Sequence, residues 1–376
     1  MMGFGDVFRE GERRGNRNPL GMISELVSRC SEGLVERRTV VEAIVLAAVA
    51  REHVLLIGPP GTAKSEAARR VAPGLGGRYF EYLVGKFSEP SELFGPTDLR
   101  KLKEGVLETA TEGMLPEAEV AFLDEVFAGS TAILNSLLTL LNERTFRRGG
   151  TRIACPLRVC IGAANSLPEQ DSLAAFADRF LVRSFVAPVS DSMLEELLSR
   201  GREQVKIQPG EMGQLDRLIE AARRVDLSQV QPLLAEALRR LRRENVALSD
   251  RRAVRSQNLI AAAAAISGRE RASRADLWPL VLAVPTEAEQ AVARQALESL
   301  LDTSDSDALH HLAEAVSSGP SVRARRLSEE ANQVLNLPFD RLRIEGVLRD
   351  IDASFAADSL PSDLGEMRVR LKAALE

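Results

Sequence analysis

The run Gly58-Pro59-Pro60-Gly61-Thr62-Ala63-Lys64-Ser65 constrains this chain more than any other feature. It has the G-x-x-x-x-G-K-[ST] spacing, with an apolar stretch at 54–57 before it and a helix-forming run from Glu66 after it, so it should join a strand to a helix. In that setting the backbone N–H groups of the loop and the helix N-terminus form a preorganised anion hole. Lys64 adds a cation for the β- and γ-phosphates of ATP, and the Ser65 hydroxyl is a ligand for Mg²⁺. A glycine-rich turn that binds nothing is the alternative, and the order strand, loop, helix argues against it.

A nucleotide site of this kind also needs an acid for the metal and a base for water. The run Val120-Ala121-Phe122-Leu123-Asp124-Glu125 puts two carboxylates at the end of a buried strand, about 60 residues past the P-loop. Asp124 is expected to hold Mg²⁺ through water, and Glu125 to orient and deprotonate the attacking water. Alone, the pair would read as a solvated loop start; beside a P-loop it acquires these roles. Asn165 follows the apolar run 159–164 at the carboxyl end of the same sheet. There its amide can hold the attacking water, unless it only opens the turn before Pro168.

Short apolar runs at 54–57, 79–83, 120–123, 159–163 and 180–186 alternate with helical or loop segments, which is the pattern of a parallel sheet wrapped by helices. Helical spacing over 23–50, broken near Ser31–Gly33, leads into the first of them. Residues 23–187 therefore read as an α/β nucleotide-binding domain after a flexible stretch 1–22. Two inserted hairpins are expected, one over 99–114 turning at Glu104–Gly105 and one over 145–153 turning at Gly149–Gly150. Past Pro188 the strand signal stops. Helical periodicity at 193–198, 215–225, 230–241 and 253–266, the last capped by Ser249 and by Ser267–Gly268, gives an all-α lid over 188–285. Residues 286–376 form a helical C-terminal extension divided at Gly319–Pro320, Pro338 and Pro361, either a third module or an arm.

With these motifs in place the chain resembles the MoxR family of AAA+ ATPases over about residues 23–285. The resemblance rests on the P-loop, Leu123-Asp124-Glu125, the run Ile133-Leu134-Asn135-Ser136-Leu137-Leu138 ending in Asn142-Glu143-Arg144, and Asp178-Arg179-Phe180. Leu93-Phe94-Gly95-Pro96, Leu115-Pro116-Glu117-Ala118-Glu119 and Ser249-Asp250-Arg251-Arg252 resemble its RavA-type branch. The resemblance implies a hexameric ring with ATP sites between subunits and a helical lid. It makes Asp124 and Glu125 the Walker B pair, Asn165 the first sensor and Arg179 an arginine finger reaching a neighbour's site. Arg251 becomes the second sensor on the lid, with Arg252 the other possibility, because Ser249-Asp250-Arg251-Arg252 stands where many relatives have Ser-Pro-Arg. The two hairpins correspond to the helix-2 insert and to the hairpin before the first sensor. Chaperone-like remodelling of a protein client is also implied, with a von Willebrand factor A domain partner. No stretch here resembles that domain, so the partner would be a separate chain.

Composition narrows the alternatives. A formal charge of -5 supplies no field for a polyanion, which argues against a nucleic-acid motor built on the same ATP site. Arg147, Arg148 and Arg152 at the second hairpin read as a solvated basic face. A nucleotide-gated scaffold with little turnover is the other alternative. The longest apolar stretch, 43–50, falls far short of the ~20 residues that span a bilayer, and the N-terminus lacks the apolar core of a signal peptide, so a cytoplasmic protein is expected. Cys30, Cys155 and Cys160 lack metal or redox spacing and read as reduced thiols. His310 and His311 are adjacent, so from a helix they should not both face one metal, and they are expected at the surface; His53 is expected in packing, and Trp278 as an anchor of the lid core.

Overall fold

The strands, in chain order, are β1 (Val54–Ile57), β2 (Tyr79–Leu83), β3 (Val120–Asp124), β4 (Thr145–Arg148), β5 (Thr151–Ala154), β6 (Val159–Ala164) and β7 (Val182–Phe185). The computed structural model describes residues 19–190, 193–200, 205–317, 320–336, 339, 341–355 and 360–375. Five strands form one parallel sheet in the order β2-β3-β6-β1-β7. β1 and β6 are buried along their whole length, which is why they read as unbroken apolar runs rather than alternating ones. Their side chains still divide by parity: Val54 and Leu56 join one core, Leu55 and Ile57 the other. Registers Ile57↔Ala164 and Leu83↔Asp124 bring the P-loop, Asp124 and Asn165 out at the same carboxyl edge of the sheet.

Helices cover both faces. On one lie α1 (Pro19–Ser31), α2 (Arg38–Val49) and α3 (Lys64–Leu75), sharing a buried cluster with Phe122 and Ile161. The other face is covered by α4 (Pro90–Phe94) and the later helix α6 (Thr131–Glu143), with Phe94, Leu137 and Leu141 in its core. Between these two helices the first expected hairpin is replaced by α5 (Leu99–Lys103) and a single antiparallel bridge, Thr97↔Thr109. The cause is local. Asp98 Oδ1 accepts from the N–H groups of Arg100 (2.9 Å) and Lys101 (3.3 Å), an N-cap, and Gly105 at φ +82° follows the helix end, so Glu104–Gly105 stops a helix instead of turning a hairpin. The second hairpin forms as β4–β5, with Arg148 opposite Thr151 and Gly149 at φ +58°. Arg147, Arg148 and Arg152 are exposed on it, Arg147 lying 3.6 Å from Glu143.

After the short α7 (Asp171–Ala177) and β7 the chain is helical: α8 (Leu194–Arg200), α9 (Met212–Arg224), α10 (Gln231–Arg243) and α11 (Asp250–Ile266). Ser249 caps α11 by accepting from the Arg252 N–H, and Gly268 at φ +72° follows its end. Trp278 is fully buried in a 3₁₀ turn beneath it. The same core runs on into α12 (Glu287–Leu301) and α13 (His310–Ser317), whereas α14 (Pro320–Asn336), α15 (Arg341–Ser354) and α16 (Ser362–Ala373) bury a separate cluster around Leu327, Ile351 and Leu364. Pro361 stands at the N-cap of α16; Gly319 and Pro338 lie outside the described residues. Among the described residues no helix is long and apolar enough to cross a membrane. All three cysteines are free and buried, and burial pushes each thiol up.

Both outer histidines depart from expectation. His310 is buried and His311 half-buried, because α13 packs on α2 and is flanked by α14. His53 is wholly buried: its Nδ1 accepts from Cys160 N–H (3.0 Å), so Nε2–H donates to Leu141 O (3.0 Å), bridging β6 and α6. Burial, reinforced by the Arg144 charge, holds this imidazole well below its ordinary value of 6.5. The unfolded chain then binds the extra proton, so stability falls as pH drops below 6.5, by up to about 1.4 kcal/mol per pH unit until the folded group also protonates. Denaturant midpoints measured at pH 7 and pH 5 should show a larger acid loss in the parent than in His53→Gln, and equal losses would remove His53 as their source.

Candidate nucleotide site

The P-loop is held in an anion-binding shape by its own backbone. A Cβ on Gly58 would stand 2.1 Å from Val186 O, so only glycine lets the loop pass the end of β7. Gly61 (φ +78°) and Ala63 (φ +59°) are left-handed, and Ala63 precedes α3 with no side chain capping that helix. The first N–H groups of α3 are thus left for a ligand. Lys64 Nζ donates to Gly58 O (2.7 Å) and Pro59 O (2.8 Å), folded back along the loop. Burial lowers its pKa from the ordinary lysine range, and Asp124 and Glu125 pull it back up.

Ser65 Oγ donates to Asp124 Oδ2 at 2.8 Å. A hydroxyl and a carboxylate are the hard oxygen donors Mg²⁺ takes, so the pair suits that ion, Ser65 as a direct ligand and Asp124 through water. Asp124 Oδ1 accepts from Glu125 N–H (3.0 Å), and Asn165 Nδ2 donates to Glu125 Oε1 (2.7 Å). Glu125 itself sits at φ +50°, a region a non-glycine residue occupies only when its surroundings enforce it. Its neighbour Val126 enforces it by donating to Ala163 O (3.0 Å). Ser65, Asp124, Glu125 and Asn165 therefore form one hydrogen-bonded chain beside the loop.

A cleft of about 510 Å³ opens next to the P-loop, walled by Pro60, Thr62, Pro188 and the exposed Leu194 and Leu197 of α8. Arg37 also lines it, and the motifs gave no hint of this residue. Its Nε donates to Thr62 O (2.8 Å) and its Nη2 to Ala187 O (2.9 Å), fastening the loop to the strand exit. Its partners lie 25 and 150 residues away in sequence, so no local spacing could have singled it out.

Arg179, Arg251 and Arg252 do not line that cleft. Arg252 is fully buried, with its Nε on Ala283 O (2.7 Å), its Nη2 on Leu181 O (2.6 Å) and its Nη1 on Phe180 O and Asp178 Oδ1. It clamps the lid to the end of α7. Arg251 meets the Asn142 side chain instead. Its pKa is lowered by burial and then by the like charge of Arg179, so the two arginines share one region. Arg179 comes only within 4.0 Å of Asp178 Oδ2, and its buried Nε has no partner. Glu52 completes the lid contact, accepting from Arg255 Nε (3.0 Å) and Asn258 Nδ2 (2.8 Å).

Comparison with known proteins speaks to the family and the fold. A family model described as the MoxR domain in the MoxR-vWA-beta-propeller ternary systems matches residues 21–222, and an AAA lid domain model matches residues 229–296. The chain is 34% identical over 258 residues to the uncharacterized protein MJ0812 of Methanocaldococcus jannaschii, covering 68% of this chain and 69% of that one. It is 26% identical over 171 residues to the chaperone MoxR1 of Mycobacterium tuberculosis, covering 44% of this chain and 45% of that protein. The crystal structure of a candidate ATPase from Cytophaga hutchinsonii superposes with a TM-score of 0.60, covering 76% of this chain and 95% of that one. At 16% identity that likeness speaks for the fold alone, an α/β AAA+ core followed by a helical lid.

Proposed function

The chain belongs to the MoxR family of AAA+ ATPases, and from that premise we propose that it hydrolyses ATP at sites completed by a neighbouring subunit and uses the turnover to remodel a protein client. The observation that carries the proposal is the chain of hydrogen bonds from Ser65 through Asp124 and Glu125 to Asn165 beside an open P-loop. In this scheme Gly58 to Ser65 wrap the phosphates and Lys64 turns from the loop carbonyls to the β- and γ-oxygens. Ser65 and Asp124 would hold Mg²⁺, which when bound neutralises charge on those oxygens. Glu125 accepts the proton of the attacking water while Asn165 fixes the carboxylate that orients it. Arg179 enters the site of the adjacent subunit, and Arg251 serves as the second sensor on the lid. Arg252 is left a structural clamp.

Ring assembly as a hexamer, RavA-type affiliation, a cytoplasmic location and a separate von Willebrand factor A domain partner are parts of the same proposal. The description of the matched MoxR domain model supports that partner, and the chaperone name of the Mycobacterium relative supports a remodelling role. Lys64→Ala should abolish ATP binding in calorimetry and leave the thermal melt nearly unchanged, since Lys64 ties down only atoms of its own loop, the Gly58 and Pro59 carbonyls and the Thr62 hydroxyl. A variant that binds ATP like the parent would remove the P-loop from the site.

A further inference from the structure

One cluster of ionisable groups has no part in the nucleotide site. Glu42 lies within α2, an otherwise apolar stretch in which every residue from Val40 to Val49 is buried. Its side chain is fully enclosed. Oε2 accepts from the Leu312 N–H (2.7 Å) in the first turn of α13, and Oε1 faces Arg38 Nε (3.2 Å) and His311 Nδ1 (3.4 Å). His310 and His311 open α13 with ring centroids 3.9 Å apart. One ligand atom from each of Glu42, His310 and His311 lies within 4.8 Å of the others.

We propose that Glu42, His310 and His311 bind one divalent transition-metal ion of the zinc type, fastening α13 to α2. Zn–N and Zn–O bonds of about 2.0–2.1 Å on a tetrahedron set ligands about 3.3 Å apart, and the Glu42 Oε1 to His311 Nδ1 separation of 3.4 Å meets that edge. Nδ1 of both rings is buried without a hydrogen-bond partner, as ligands awaiting an ion are. His310 Nε2 stands 3.0 Å from Glu329 Oε2 on α14. That nitrogen makes no hydrogen bond as the ring stands; once it donates to Glu329, Nδ1 is left as the ligand nitrogen, in the carboxylate–histidine–metal arrangement of established sites. His311 is a quarter exposed, 26%, which leaves an entry path and room for water as fourth ligand. The N₂O donor set favours zinc-like ions over Mg²⁺ or Ca²⁺, which take oxygen. α14 is drawn in through Glu329, so the ion would join two C-terminal helices to the helix that follows the P-loop clamp Arg37.

The test uses the full chain, stripped with a chelator and held in excess Mg²⁺ so that Ser65 and Asp124 do not take the titrant. Titration with Zn²⁺ should give one tight site per chain. Glu329→Gln should weaken it by ~10–100-fold, the usual effect of losing a carboxylate behind a ligand histidine, and His311→Ala by more. In the parent, Zn²⁺ should also slow amide exchange over residues 310–317, and His311→Ala should abolish that slowing. Absence of a Zn²⁺ site in the parent, or the same affinity in parent and His311→Ala, would overturn the assignment. Should His311→Ala fail to fold, Glu329→Gln carries the test, because Glu329 is half exposed and its loss leaves Glu42 on Leu312; unchanged Zn²⁺ affinity there would equally overturn the proposal.

Discussion

Arg179→Ala should assemble and bind ATP as the parent does, yet lose ~10³–10⁵ of its turnover, the effect of removing an arginine finger from a P-loop enzyme. The geometry supports so large an effect at a residue outside its own cleft. The nearest acid, Asp178, already accepts from the buried Arg252, and Arg179 reaches it only at 4.0 Å. A guanidinium with an unpartnered buried Nε beside a second arginine gains little from its own subunit. In the proposed ring it would gain much from the charge that builds on a transferring phosphate across an interface. Phosphate release at saturating ATP, with light scattering to follow assembly, measures both properties. Turnover within tenfold of the parent would remove Arg179 from the chemistry. A drop in melting temperature matched by a drop in ATP affinity would make it a local structural residue.

Glu125→Gln is the second variant with a large expected effect, a fall of ~10²–10⁴ in turnover with nucleotide binding retained. The substitution preserves shape. A glutamine Oε1 can still accept from Asn165 Nδ2, and the backbone N–H of residue 125 still donates to Asp124 Oδ1, so the metal-holding pair should be undisturbed. What disappears is the capacity to take the proton of the attacking water. Steady-state phosphate release beside calorimetric ATP affinity separates the two, and unchanged turnover would sink the assignment of Glu125 as base. A chain that binds ATP and hardly turns it over should also hold its client, so the same variant serves for capturing partners from native lysate.

The sheet and its nucleotide edge were legible because both are written locally. Strands covered on both faces read as apolar runs, and the P-loop and Asp124–Glu125 are contiguous motifs whose spacing follows from the fold. Expectation went astray where one local signal fits two structures or where the partner is distant. Glu104–Gly105 serves equally as a hairpin turn or a helix stop, and the Asp98 cap decides for the helix. Register favours Arg251 over its neighbour as second sensor, and the structure adds what no spacing within the lid reveals, that Arg252 meets carbonyls about 70 residues away on the α/β domain. His310 and His311 looked like surface residues because neighbours on a helix face different ways. At the start of α13, between α2 and α14, His310 is buried and His311 is covered except for one open side. Arg37 left no trace at all, since it grips backbone rather than a motif.

The central claim is that each ATP site is shared between two copies of this chain, and mixing two dead variants tests it most directly. Arg179→Ala keeps a sound pocket and lacks a finger; Lys64→Ala keeps a finger and lacks a pocket. Mixed in equal amounts, with subunit exchange confirmed by fluorescence, they create interfaces that have a pocket from one chain and a finger from the other. Random mixing makes these about a quarter of all interfaces, so about a quarter of parental phosphate release should return if sites act independently, and less if they are coupled around the ring. No recovery at all, with exchange confirmed, would contradict a finger acting in trans and with it the shared site.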